Sequence, residues 1–369
     1  MVISWKNLFL LYLCNWLTAV RSRNPFFFPC ENDTLSTILD CQKRGLTNVP
    51  TIKSVSVLSI NLEGNKIQTV KSNALAGVPN LQNFSIMWNC PPGKLKGPGT
   101  RSCKLDIAPD AFVHLKNLSH LFLGGNSLLS IPRLPGGLKV LGLESSNIYR
   151  INTPLGTPQL KKLLLFKNCY YRNPCNQTFY INESVWQELR ELTNLTLGFN
   201  NITAVPKGLP QNLTSLDLRE NKISHIDEIA FANLTRLTYL NLEWNCQRCD
   251  HAAQPCFPCS NNSAINLHPK AFQNLSKITH LILRGNSLKD LPEGLFQGLQ
   301  RLTYLDLSDN LLAYSIRNDS FFRDLKKVKL LNLIYNYEPL KTFDGLILSP
   351  YFSEMTSLEE LLIRHGPSL

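Results

Sequence analysis

Leu302-Thr303-Tyr304-Leu305-Asp306-Leu307-Ser308-Asp309-Asn310-Leu311-Leu312 is the stretch that decides the fold. In an extended chain alternate side chains face opposite ways, so Leu305 and Leu307 point into one layer and Asp306 out of it. Asn310 falls where the chain turns away, and its amide offers two donors and an acceptor to the otherwise unpaired backbone of a buried bend. The same phrase, Leu-x-x-Leu-x-Leu-x-x-Asn-x-Leu, recurs about a dozen times between Val57 and Arg364. Its asparagine place is filled by Asn65, Asn89, Asn126, Ser146, Asn168, Asn200, Asn221, Asn245, Asn286, Asn310, Asn336 and, in a degenerate last copy, Gly366. The ordinary spacing of 20 to 26 residues, with one short strand and a looser return segment per copy, predicts an α/β leucine-rich-repeat solenoid, a horseshoe segment with short parallel strands on its concave face. Stacked copies should align their asparagines into a ladder.

One copy cannot stand alone, because a few buried leucines do not offset the entropy of ordering some two dozen residues. Stacking supplies the difference, and open ends need caps. Cys30 and Cys41 bracket a short polar stretch before the first full copy and predict a disulfide-linked N-terminal cap. No equivalent cysteine cluster follows the last copy, so the expected division is a signal peptide over 1–22, a cap over 23–52 and repeats over 53–369, without a C-terminal cap or transmembrane segment.

The apolar run Leu8 to Val20, preceded by Lys6 and followed by Arg21-Ser22-Arg23, has the length of a signal-peptide core and is too short to span a bilayer. Without Cys14, ten of the eleven cysteines remain. They cluster locally as Cys30 with Cys41, Cys90 with Cys103, Cys169 with Cys175, and the group Cys246, Cys249, Cys256 and Cys259. Twelve Asn-x-Ser/Thr sequons accompany them, at Asn32, Asn83, Asn117, Asn176, Asn182, Asn194, Asn201, Asn212, Asn233, Asn261, Asn274 and Asn318. Both features point to an oxidising, glycosylating secretory route. The last four cysteines also have zinc-site spacing, but in that compartment nested disulfides, Cys246 with Cys259 and Cys249 with Cys256, are the expectation, with no metal and no cofactor.

Apart from the degenerate last copy, three intervals exceed the ordinary spacing: 37 residues after Asn89, 32 after Asn168 and 41 after Asn245, and each carries one cysteine group. A solenoid accommodates insertions as loops leaving one face, so these stiffened loops are the places to look for function. The first, from Trp88 to Lys104, holds Pro91, Lys94, Lys96, Arg101 and Lys104 and no acid. Cations on a Pro/Gly-rich loop beside an indole suit the phosphates and unpaired bases of single-stranded nucleic acid. A plain solvated loop with Trp88 packed beneath it is the alternative. Lys161, Lys162, Lys167 and Arg172 form a second basic group, and the net charge of +11 favours polyanions generally. Asn83 and Asn194 fall at outward strand positions, so glycans there would obstruct the concave face and leave ligand to a lateral edge. Protonation of His114, His120, His225, His251, His268, His280 and His365 should add positive charge in an acidic compartment. No nucleophile elbow, metalloprotease helix or phosphate-cradling glycine loop appears, which argues against an enzyme.

The loop sequences Asn168-Cys-Tyr-Tyr-Arg-Asn-Pro-Cys175 and Asn245-Cys-Gln-Arg-Cys-Asp-His-Ala-Ala-Gln-Pro-Cys-Phe-Pro-Cys259 resemble the cysteine loops of the endosomal nucleic-acid-sensing Toll-like receptors. Trp88-Asn-Cys-Pro-Pro92 and Cys249-Asp-His-Ala252 look most like the amino-terminal half of the ectodomain of that group's CpG-DNA sensor. The resemblance implies an innate immune pattern-recognition receptor that binds single-stranded CpG-type DNA at its amino-terminal edge and dimerises around it. Signalling would pass through a TIR domain to the MyD88 adaptor, and the compartment would be the endosome or lysosome lumen, or the exterior for a soluble form. It makes Lys66, Trp88 and Pro91 ligand-contacting positions. Lys43 and Gly45 stand where the family has aromatic contacts, and Gln68 and Thr69 where it has histidines. A secreted repeat protein binding a protein or glycosaminoglycan is the competing expectation.

Overall fold

The computed structural model describes residues 30–32, 37–92, 103–170, 175, 177–250, 255–337 and 347–364. Each repeat contributes a three-residue strand, and thirteen of these, from Ile38–Asp40 to Glu360–Leu362, pair in parallel as one continuous sheet. Glu31–Asn32 closes the amino-terminal edge antiparallel to Ile38–Asp40. The register never slips. The middle residue of each strand always meets the next middle residue, as in Phe84↔Leu121↔Leu141 and Leu240↔Leu281↔Leu305. Those middle side chains are buried, apart from the half-buried Leu361 of the last strand, so a slip of one place would turn the leucine layer out to water.

The asparagine ladder lies at the end of this sheet, with Asn65, Asn89, Asn126, Asn168, Asn200, Asn221, Asn245, Asn286, Asn310 and Asn336 all buried. Asn126 shows how it works. Its Nδ2 donates to the carbonyls of Leu123 (2.8 Å) and Ile86 (2.9 Å), and its Oδ1 accepts from the backbone N–H groups of Asn89 and Cys90 (both 2.8 Å). Each amide thus satisfies backbone of its own and the preceding repeat, which no apolar residue can do in a buried bend. Ser146 fills the place with a hydroxyl, donating toward Glu144 O at 3.1 Å and Leu123 O at 3.4 Å.

The residue just before each ladder position is left-handed in backbone, whatever its side chain. Gly64, Trp88, Gly125, Ser145, Lys167, Phe199, Glu220, Trp244, Gly285, Asp309 and Tyr335 all have φ between 50° and 71°. The tight exit from the strand imposes this, and it aligns these positions, side chain or glycine, along the edge of the concave face.

The long intervals leave and rejoin the solenoid without disturbing it. Thr69–Val70 pairs with Asp106–Ile107, Arg150–Ile151 with Tyr180–Ile181, and His225–Ile226 with Asn266–Leu267, each strip spanning one inserted loop. A disulfide closes the neck of each: Cys90–Cys103, Cys169–Cys175, and Cys246–Cys259 with Cys249–Cys256 nested inside it. Cys30–Cys41 ties the cap. Phenylalanines fill the convex side of the core, with Phe84 against Phe112 at 5.8 Å and Phe231 against Phe272 at 6.1 Å between ring centroids. Among the described residues no helix is long and apolar enough to cross a membrane.

Candidate nucleic-acid interface

The residues singled out around the first loop meet at one edge. Ile67 N–H donates to the side chain of Asn89, and Gly64 N–H to the carbonyl of Met87, so the turn bearing Lys66 lies directly beside the turn bearing Trp88. Lys66 is exposed, its backbone held to Leu46 of the cap segment by a 2.8 Å hydrogen bond. Pro91 and Lys104 are also exposed, and the Cys90–Cys103 bridge, 5.1 Å between Cα atoms, brings Lys104 back to the Trp88 turn. Lys94, Lys96 and Arg101 lie outside the described residues.

Trp88 is 43% exposed although its backbone N–H is anchored to the Gly124 carbonyl at 3.1 Å. Its indole covers Gly125. A Cβ added at Gly125 would sit 2.3, 2.5 and 2.6 Å from Cδ2, Cε3 and Cε2, distances that place it over the face of the ring system rather than at its rim. One face of the indole is therefore used for packing while the residue as a whole stays substantially open. Packing and exposure coexist at this position.

Trp244 repeats the device further along the solenoid. It precedes Asn245-Cys246 as Trp88 precedes Asn89-Cys90, and a Cβ at Gly285 would lie 2.3 Å from its Cε3. The Arg284 guanidinium stands 5.6 Å from the Trp244 ring and pairs with Asp309 at 2.7 Å. Between the two tryptophans, Lys167 lies 5.1 Å from the ring of Phe199, with Arg219 at 5.9 Å. Sequence reasoning did not single out this edge strip of rings and cations. The position one residue before each ladder asparagine was the available signal.

Of the second basic group, Lys161 and Lys162 are exposed on the sheet, Lys167 is half-buried among rings, and Arg172 lies outside the described residues. The concave face is not uniformly basic. Asp217, Glu220, Glu243, Asp306 and Asp309 gather around Arg219 and Arg284 toward the carboxy-terminal repeats. Burial pushes the carboxyls of Asp217, Glu220 and Glu243 above the ordinary carboxylate range, against the opposing pull of the arginines on each. Burial likewise raises the Tyr304 hydroxyl to about 12.

The expectation for the histidines changes on this face. His280 is stacked on Tyr304 at 5.4 Å with the Tyr239 ring tilted against it at 6.3 Å, and His120 contacts Ser119 Oγ at 2.8 Å. Burial holds both below the ordinary histidine pKa, and Lys139 adds to the effect at His120. These two take up a proton only in more acidic solution than free histidine does. His251 and His365 lie outside the described residues.

The third loop is fastened rather than free. Arg248 is 2% exposed, and its guanidinium donates to the carbonyls of Asn310, Tyr335 and Tyr337 in later repeats and to the carboxylate of Asp250. Gln247 donates to Glu220 at 3.1 Å and accepts from Phe257 N–H at 2.7 Å. Asn83 and Asn194 stand half-buried in the first outward row of the sheet, beside His120 and Lys162 respectively. No cluster of side chains suited to hold a metal occurs among the described residues, and the four cysteines of this loop are joined in pairs.

Comparison with known proteins agrees with this architecture. A leucine rich repeat model matches residues 190–246 and 259–312. The chain is 36% identical over 343 residues to Toll-like receptor 9 of Mus musculus, covering 91% of this chain and 33% of that protein. It is 35% identical over 351 residues to Toll-like receptor 9 of Homo sapiens, covering 94% and 34%, and 36% identical over 348 residues to Toll-like receptor 7 of Mus musculus, covering 92% and 33%. It thus spans about a third of the length of the curated relatives it matches. Repeats, disulfide loops and sequence similarity agree in placing this chain with the leucine-rich-repeat ectodomains of the Toll-like receptor 7/8/9 group.

Proposed function

We propose that this chain is the ligand-binding part of an innate immune pattern-recognition receptor and that it binds single-stranded DNA of CpG type along the edge formed by Lys66, Trp88, Pro91 and Lys104. The observation that carries the reading is the Trp88 indole, backed by Gly125 yet substantially open, beside two exposed lysines on a disulfide-closed loop and its neighbouring turn. A ring held rigidly from behind is a ready platform for an unpaired base, and such stacking contributes roughly 1 to 3 kcal/mol per base. Lys66 and Lys104, joined by Lys94, Lys96 and Arg101 of the first loop, neutralise phosphates without reading sequence.

In this reading the receptor dimerises on its ligand in the lumen of an endosome or lysosome, and a TIR domain passes the signal to MyD88. The role is recognition rather than catalysis. The edge is preferred over the concave floor because the floor carries the sequons Asn83 and Asn194 and, further along, the carboxylates around Arg219 and Arg284. Competition among a single-stranded CpG oligonucleotide, its GpC inversion and heparin tests the proposal. The oligonucleotide should resist displacement by heparin at equal charge, and the CpG form should outcompete its inversion. Displacement that follows charge alone, with heparin best, would favour a glycosaminoglycan-binding protein instead.

A further inference from the structure

Glu144 occupies an outward position two residues past the strand Val140–Gly142, where side chains ordinarily meet water, yet it is 6% exposed. Two missing side chains account for this. A Cβ at Gly124 would lie 2.6 Å from Glu144 Cδ, and one at Gly142 would lie 2.9 Å from Oε2. The carboxyl therefore lies in a trough whose walls are glycines of two neighbouring repeats. Its Oε2 is sealed from water without a hydrogen-bond partner. An unpaired buried carboxylate oxygen is costly, and folded proteins seldom keep one without a use for it.

The charged and titratable groups on the surrounding elements are few and mostly cationic. His120 lies on the strand before, Lys139 at the head of its own strand, and Lys161, Lys162 and Lys167 on the repeat after. Burial raises the carboxyl above its ordinary value, and a hydrogen bond from its own backbone and the charge of Lys162 oppose this only in part. The trough also adjoins the edge described above: Gly125 N–H donates to the Glu144 carbonyl at 2.7 Å, and Gly125 is the residue on which Trp88 lies.

We infer that Glu144 is a titrating residue beneath this edge that takes up one proton from solution when single-stranded DNA binds, so that its buried carboxyl is neutral in the complex. The inference rests on the DNA-binding reading. A polyanion laid beside the trough disfavours the carboxylate further, so binding and protonation assist each other. No other group need change: the carboxylate gains a proton from buffer and becomes a neutral carboxylic acid, which removes a negative charge from beside the polyanion.

The test is calorimetric titration of the chain with a single-stranded CpG oligonucleotide, in two buffers of different ionisation enthalpy at each of pH 7.4 and 5.5. Wild type and Glu144→Gln are compared, because glutamine mimics the neutral acid in shape and hydrogen bonding. Wild type should take up measurably more protons on binding than Glu144→Gln. The variant should bind several-fold more tightly at pH 7.4 and show a shallower dependence on pH, one full proton corresponding to about tenfold per pH unit. Glu144→Ser, which fits the same trough with room to spare, should lose the same proton uptake and guards against crowding by the glutamine. Equal proton uptake and parallel pH profiles in folded variants would overturn the role of Glu144 while leaving DNA binding intact. Absence of DNA binding by wild type at either pH overturns both.

Discussion

Trp88 lies over Gly125 as Trp244 lies over Gly285, and in each pair a methyl group on the glycine would stand 2.3 Å from the indole. Both glycines also have φ near 70°, so two independent constraints exclude a side chain there. The pairs share backbone geometry and differ in neighbourhood. Only the first sits beside the basic loop.

Gly125→Ala and Gly285→Ala should therefore each lower stability by about 1 to 3 kcal/mol, through left-handed strain and displacement of the indole. Only Gly125→Ala should weaken single-stranded DNA binding by more than its effect on folding. Chemical denaturation and oligonucleotide titration of both variants decide the point. Equal reductions of DNA affinity in the two would remove Trp88 from the interface.

The repeat was legible because its two markers act by different physics. Leucines at period two report the buried layer, as Leu305 and Leu307 do, and the asparagine reports the bend whose backbone it satisfies, as Asn310 does. The left-handed row was not legible from residue type, since Trp88, Phe199 and Tyr335 are aromatic, Lys167 is basic and Glu220 acidic, and what unites them is a position dictated by the turn. Nor was Arg248. An arginine in a polar loop reads as solvated, and its burial depends on carbonyls of Asn310, Tyr335 and Tyr337, which lie 62, 87 and 89 residues away in sequence. The return strips such as Thr69–Val70 with Asp106–Ile107 are two residues long, too short to carry a period.

Arg248→Met should destabilise the chain by about 3 kcal/mol, because several carbonyls in a site closed to water lose a charged donor. The effect should appear first as faster hydrogen exchange in repeats 304–337, onto which the third loop is clamped, with the two loop disulfides intact by non-reducing mass mapping. A thermal midpoint unchanged from wild type would show that the clamp contributes nothing.

Mild acid should stabilise this fold. Glu144, Asp217, Glu220 and Glu243 have raised carboxyl pKa values, so the folded chain binds more protons than the unfolded one between the ordinary carboxylate range and those higher values. Stability then rises as pH falls through the folded values and levels off near the unfolded ones. His120 and His280, lowered from 6.5, act with the opposite sign below that pH, but they are two groups against five, since burial also raises the carboxyl of Asp324. Thermal unfolding followed as pH is lowered from neutrality toward the ordinary carboxylate range should show a rising midpoint, and Glu220→Gln with Glu243→Gln should flatten it. A midpoint that falls throughout would show that the histidines dominate.

Charge and stacking at the edge are separable by salt. Lys66→Ala with Lys104→Ala removes two exposed cations and should weaken binding of single-stranded DNA whatever its sequence. The slope of log affinity against log salt should fall by roughly 0.7 for each phosphate that is no longer neutralised. Trp88→Ala should leave that slope nearly unchanged while affinity drops by roughly 1 to 3 kcal/mol, because stacking releases no counterions. Its stability must be measured alongside, since the indole also packs on Gly125. Unchanged affinity in a folded Trp88→Ala variant would assign the indole to packing alone, and an unchanged salt slope in the double lysine variant would move the phosphates elsewhere on the edge.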